Sequence, residues 1–257
     1  MIKLPSNYVP YDFQPDSLTM RPMKGAELAD MSKAFISDDI SFAIKAIGAV
    51  INVDVNQITI PDFYALMLHA RYISMPKSTP MGIWKCQGSM YEDQKSKVQY
   101  SMLQLQGMMK AYELDKEHNQ NPNDIMVETV ACGIEHSVGI VESDFEFIEL
   151  PADIEPLDPK FDYPRVRMLP QLTQALADPE ICLTALAAQW LKDGDTLDEK
   201  LALMNAAPDL SLYDELSTLH AVRTYGVKQS VSKVCYTCGT EQPLVMVISP
   251  SIFFRVS

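Results

Sequence analysis

The cysteines carry the most distinctive chemistry in this sequence. Cys235-Tyr236-Thr237-Cys238-Gly239 has the form of a zinc knuckle. Two thiols sit on a tight turn, with a glycine relieving the backbone so that both sulfurs point one way. One such pair supplies half of a tetrahedral site, and Cys86 and Cys132 are the candidates for the other half. Four thiolates would close a structural zinc site with no open position for catalysis. Two other readings stand beside it: reduced thiols left from an ancestral site, and a redox pair. The redox reading is the weaker one, because thioredoxin-type pairs sit at a strand-to-helix turn that lowers a thiol pKa. Here Thr-Glu-Gln-Pro and a β-like run follow Cys238. His136 follows Cys132 closely enough to substitute as a ligand, against the reading of an isolated surface histidine. Cys182 lies in an apolar helical run and reads as core.

Catalytic signatures are missing. Ten scattered glycines make no phosphate loop, and the serine–histidine and metalloprotease patterns do not occur. Acidic pairs such as Asp38-Asp39 and the run over 142–149 read as a solvated face. Arg71 and Arg223 fall at helix ends, where a cation complements the terminal carbonyls; the alternative is that each holds a loop or a partner carboxylate. His69 and His220 read as partly exposed helix residues.

The four cysteines fall at matching places of an internal repeat, the first thing to seek when assigning a fold. Met20-Arg21-Pro22 with Leu28-Ala29-Asp30 matches Met168-Leu169-Pro170 with Leu176-Ala177-Asp178. A helical run bracketed by Asp62 and Arg71 matches one bracketed by Asp214 and Arg223. Cys132-Gly133-Ile134-Glu135-His136, then Val141, Ser143 and Phe147, matches Cys238-Gly239-Thr240-Glu241-Gln242, then Val247, Ser249 and Phe253. The expected fold is therefore α+β, an internally duplicated module. Each copy has a short strand (18–21; 166–168), three helices (from about 25, 41–50 and 61–72; from about 172, 181–191 and 212–224) and a C-terminal β-hairpin with a cysteine knuckle. Asp38 and Asp178 are the expected N-caps of the middle helices. In the second copy the hairpin strands are 230–234 and 244–248.

In the first copy the knuckle is split, since Cys86 and Cys132 stand far apart. The intervening run over 89–117 is rich in lysine, glutamine and methionine. It reads as a helix bearing a stripe of Val98, Met102, Leu105, Met109 and Tyr112, followed by a polar loop to residue 123. This helical insertion at about 89–123 is a candidate partner-docking surface, since flexible methionines suit adaptable contacts; packing on its own domain is the other reading. Four prolines over 151–164 make a stiff linker. The expected domains are 1–150, a proline-rich linker at 151–163, and 164–257.

Composition bounds the partners. With 257 residues, 47% hydrophobic and 21% charged, the chain is long enough to bury a full core. Thirty-four acidic against twenty-one basic side chains leave a net charge of −13. Such a field repels phosphate backbones and anionic lipid, which argues against nucleic acid and membrane as partners. No small-molecule partner is indicated. The first residues have no apolar signal segment, so cytoplasmic synthesis is expected.

Two stretches also carry a resemblance. Leu4-Pro5-Ser6, a tyrosine at 8 or 11, and Leu18-Thr19-Met20-Arg21-Pro22-Met23-Lys24 form the first. Val222-Arg223-Thr224-Tyr225-Gly226 and Val234-Cys235-Tyr236-Thr237-Cys238-Gly239-Thr240-Glu241 form the second. Together they resemble the baseplate hub assembly proteins of T-even-type contractile-tailed bacteriophages. The chain departs from that pattern by its duplication and by the segment splitting the first knuckle. The resemblance implies a non-enzymatic structural or assembly role in the virion, at the tail baseplate, through protein–protein contacts with other phage tail proteins such as hub or tape-measure components. Its alternative is a soluble tail-assembly chaperone absent from the mature particle.

Overall fold

The three helices expected in each half form, the second half gaining a fourth, and the structure is mixed α+β. It is a computed structural model describing residues 2–94, 97–118, 127–245 and 248–253. The first half supplies α1 (Gly25–Ser37), α2 (Ile40–Gly48) and α3 (Ile60–Ser74). The second half supplies α5 (Leu169–Leu176), α6 (Cys182–Ala188), α7 (Leu197–Asn205) and α8 (Ser211–Val222), while α4 (Met102–Leu114) lies in the inserted segment. The extra helix, α7, was not anticipated. Its signal was present: Thr196 accepts from the Glu199 N–H and Glu199 reaches back to the Thr196 N–H, the Thr-x-x-Glu capping box.

Several local expectations are corrected. Residues 166–168 form a 3-10 turn, and over 18–21 only Met20 makes an isolated bridge, to Ile51. Asp39, not Asp38, caps α2 by accepting from the Ser41 N–H at 2.9 Å. Asp38 ends α1 in the left-handed region, at φ 53°, which its short polar side chain tolerates. Asp178 accepts from Glu180 N–H in the turn before α6 and is not the cap itself, which is Ile181.

The chain divides into two compact units, and they do not follow the expected division at the proline-rich linker. Unit 1 takes Met1–Pro80, Val141–Gln229 and Val247–Ser257; unit 2 takes Met81–Ile140 and Ser230–Met246. Each unit draws chain from both sides of the linker.

Unit 1 holds the helices α1 to α3 and α5 to α8. The helix α3 is buried around most of its circumference, with Phe63, Leu66, Met67, Leu68 and Ala70 inaccessible; the four larger side chains each contribute on the order of 1.5–3 kcal/mol of apolar burial and the Ala70 methyl less. Two buried polar side chains make this possible. Asp62 accepts from Ser6 N–H at 3.0 Å, from Tyr11 Oη at 2.6 Å and from Thr59 Oγ1 at 3.0 Å. Arg71 donates to the carbonyls of Ile252, Met75 and Ser78 at 3.0, 3.2 and 2.7 Å. Arg223 likewise donates to Tyr163 Oη and to the Glu155 carbonyl. Both arginines thus hold other segments from a helix end, Arg71 in the last turn of α3 and Arg223 directly after α8.

The linker is not a free spacer. Its Phe161 and Tyr163 join Leu150, Trp190, Leu191, Leu216 and Tyr225 in one buried cluster, because an apolar ring in an extended segment gains more by packing than by exposure.

Unit 2 is built on antiparallel ribbons. The strand β1 (Met81–Lys85) pairs with β5 (Glu135–Gly139), and β2 (Ser89–Asp93) with β4 (Val127–Ala131). A short β3 (Gln99–Tyr100) flanks β2 and leads into α4. The inserted segment therefore opens as strand, correcting the expectation of a helix from residue 89. Helix begins at Met102, and residues 119–126 lie outside the described set. In unit 1, β6 (Phe147–Ile148) pairs with β7 (Gly226–Val227). In unit 2, β8 (Ser230–Val234) pairs with β9 (Glu241–Val245). The second hairpin strand thus starts directly after the knuckle, earlier than the expected 244; residues 246 and 247 lie outside the described set.

Candidate metal centre

The two ribbon ladders of unit 2's first stretch run as one, bent where the cysteines sit. Between the pairs Lys85↔Glu135 and Ser89↔Ala131, Cys86 N–H donates to the Ile134 carbonyl at 2.8 Å and Cys132 N–H to the Gly88 carbonyl at 2.8 Å. Gly133, at φ 62°, turns the backbone there, a conformation that costs glycine nothing. Cys86 and Cys132 are thereby brought to one side of the bend. The knuckle closes similarly: Cys235 N–H donates to the Thr240 carbonyl at 2.9 Å, Gly239 N–H to the Cys235 carbonyl at 2.7 Å, and Gly239 takes φ 76°.

All four sulfurs converge. The Sγ atoms of Cys86, Cys132, Cys235 and Cys238 lie within 4.8 Å of one another. Cys86 and Cys238 are 3.5 Å apart, and Cys132 and Cys235 are 3.8 Å apart. A tetrahedron with Zn–S bonds of about 2.3 Å has edges of roughly 3.8 Å, so the donor set fits a tetrathiolate ion. All five cysteines are free thiols. Cys86, Cys235 and Cys238 are buried, and Met90, Trp84 and Val130 pack around the cluster.

The thiols are electrostatically unlike. Burial pushes the Cys86 thiol up to about 12, although the Gly88 N–H opposes it. Burial also raises Cys132, against the N–H of Ile134. At Cys238 burial is outweighed by hydrogen bonds from the Thr240 hydroxyl and backbone, and the thiol falls to about 7. A cation among them would hold all four as thiolates.

His136 is the residue whose place the sequence did not reveal. It is buried, not on the surface, and its Nε2 lies 3.1 Å from Cys235 Sγ. The pairing of β1 with β5 sets it opposite Trp84, with rings stacked at 4.5 Å and 24°. Tyr236 meets the same ring edge-on at 4.6 Å and 87°. The only sequence signal for it was the closeness of His136 to Cys132. Cys182, expected in the core, is half-buried at the start of α6, with its Sγ 3.7 Å from the Pro179 carbonyl.

The inserted stripe is dispersed. Met102 and Met109 are exposed on α4 and Leu105 and Tyr112 are half-buried there, whereas exposed Val98 precedes β3. No residue of α4 is buried. Among the described residues, no helix is long and apolar enough to cross a membrane. No family model matches the chain, and no curated protein or solved structure is significantly similar to it.

Proposed function

We propose that this chain is a non-enzymatic structural or assembly protein acting by protein–protein contact, with unit 2 held by one structural zinc on Cys86, Cys132, Cys235 and Cys238. The observation carrying this reading is the convergence of four thiols, three buried and Cys132 half-buried, from two distant stretches of chain within 4.8 Å. Four sulfurs complete a tetrahedral shell, so the ion would have no position for substrate and would act on folding alone. The exposed α4 offers Met102 and Met109 to a partner.

The setting we propose is the baseplate hub of a contractile phage tail, in contact with hub or tape-measure proteins. Its support is the likeness of the Leu4-Pro5-Ser6 start and of the Arg223-to-Glu241 stretch described above. Duplication is supported by two matched features. Cys132-Gly133 and Cys238-Gly239 share the left-handed glycine, and Arg71, in the last turn of α3, and Arg223, directly after α8, each donate to a backbone carbonyl of a distant segment. The second reading, a tail-assembly chaperone, is favoured by α4 having no buried residue, which suits a transient grip on an apolar segment. Mass spectrometry of purified tailed particles encoding this chain separates them. Stoichiometric presence supports the structural part; presence only in assembly intermediates supports the chaperone; absence from both refutes the tail assignment. Metal analysis of protein purified without chelators should find about one zinc per chain.

A further inference from the structure

Resting on the zinc reading above, we infer that His136 is a positioning residue of the metal centre, donating its Nε2–H to the Cys235 thiolate from outside the coordination shell. Four thiolates around Zn²⁺ carry a net charge of about −2, and a buried site of that charge needs donors aimed at its sulfurs. Three cysteines find theirs locally, two residues further along the chain. Gly88 N–H points at Cys86 Sγ at 3.3 Å. The N–H of Ile134 serves Cys132, and the Thr240 N–H serves Cys238, whose thiol donates to Thr240 Oγ1 at 3.2 Å and whose thiolate would accept from that hydroxyl. At Cys235 the donor is the imidazole, which approaches from another strand and from 99 residues away.

Its surroundings fix the ring rather than free it to coordinate. Trp84 covers one face and Tyr236 abuts it edge-on. The mutually close donor atoms are the four sulfurs, and no His136 nitrogen belongs to that set. Outer partners of this kind typically change metal affinity by 10–100-fold.

The test uses the full chain loaded with Co²⁺ or ¹¹³Cd²⁺. Wild-type protein should take up one Co²⁺ with sulfur-to-cobalt charge-transfer bands. His136→Phe keeps an aromatic ring but no donor. It should bind roughly 10–100-fold more weakly, with the bands moved to longer wavelength, because a hydrogen bond lowers the energy of the sulfur lone pairs. His136→Gln, which retains an N–H, should recover part of the shift. A purely structural role would not move the band in folded protein. In wild-type protein with ¹⁵N-labelled histidine and ¹¹³Cd²⁺, the Nε2 proton should couple to cadmium through sulfur, a measurement that needs no variant. Unchanged affinity and spectrum in His136→Phe would overturn the inference while leaving the zinc site standing. Direct one-bond coupling of nitrogen to cadmium would overturn it by making His136 a ligand. Wild-type protein that takes up no metal would remove the zinc reading and this one together.

Discussion

Cys86 Sγ and Cys238 Sγ lie 3.5 Å apart across 152 residues of sequence. Two thiols at that distance share a site, and closing so long a loop without a link is entropically unfavourable. A metal bound there would tie the Met81–Ile140 stretch to the Ser230–Met246 stretch within unit 2.

Both stretches should therefore matter equally to the metal. Cys86→Ser and Cys132→Ser are expected to weaken zinc by roughly 100-fold or more, as much as Cys235→Ser and Cys238→Ser should, since structural zinc affinity is shared among all four thiolates. Cys182→Ser should leave it unchanged. Competition with a chromophoric chelator measures this, and a Cys86→Ser protein that holds zinc at full strength would refute the shared site.

Glycine substitutions test the close approach independently. A Cβ on Gly88 would clash with Thr240 Oγ1 and lie 2.9 Å from Cys238 Sγ, so Gly88→Ala should expel the knuckle and lower metal loading. Gly107, inside α4, has nothing within 4 Å of its Cβ position. Gly107→Ala should raise the helicity of α4, worth about 1 kcal/mol in an exposed helix, and spare the metal. Metal content and circular dichroism of the two variants decide.

The Asp62 carboxyl gives a pH signature. Burial pushes its pKa above the usual aspartate range, against hydrogen bonds from Ser6, Tyr11 and Thr59. The folded state then holds a proton that the unfolded state has lost, so stability falls with rising pH. This contribution is fully present below about pH 4, the ordinary aspartate value, and is lost as pH rises through the raised folded value. Asp62→Asn cannot titrate and should lack that decline. Thermal midpoints of the two proteins from pH 4 to 8 test it; parallel curves would exclude Asp62 as the source.

Arg71, itself inaccessible, donates to three carbonyls, of which the bond to Ile252 is buried and those to Met75 and Ser78 are part-buried. Arg71→Lys keeps the charge but not the fork, and one ammonium cannot reach all three. A loss of about 2–4 kcal/mol in urea unfolding is expected, from buried acceptors left unpaired. A loss below 0.5 kcal/mol would contradict the assigned role.

Charging α4 separates docking from packing. Since no α4 residue is buried, replacing Met102 and Met109 by Glu should change stability by less than about 0.5 kcal/mol while abolishing partner binding. Pull-down with candidate tail proteins, alongside a melting curve, reads both. Global unfolding would mean the helix is part of the core.

Local chemistry in the sequence was enough to place three helices in each half, the knuckle at Cys235 and Cys238, and the pairing of those thiols with Cys86 and Cys132. Apolar spacing, prolines and a Cys-Gly turn act over a few residues, and their signal survives in one dimension. Only tertiary structure decided the rest. The strands at 89–93 and 127–131 exist because each pairs with the other across the inserted segment, and Phe161 and Tyr163 left the linker for a core that the linker residues do not encode alone. His136 became a neighbour of Cys235 because the β1–β5 register stacks it on Trp84. That register brings it to a cysteine 99 residues away, and a side-chain contact set by long-range strand pairing leaves no local pattern in the amino-acid order.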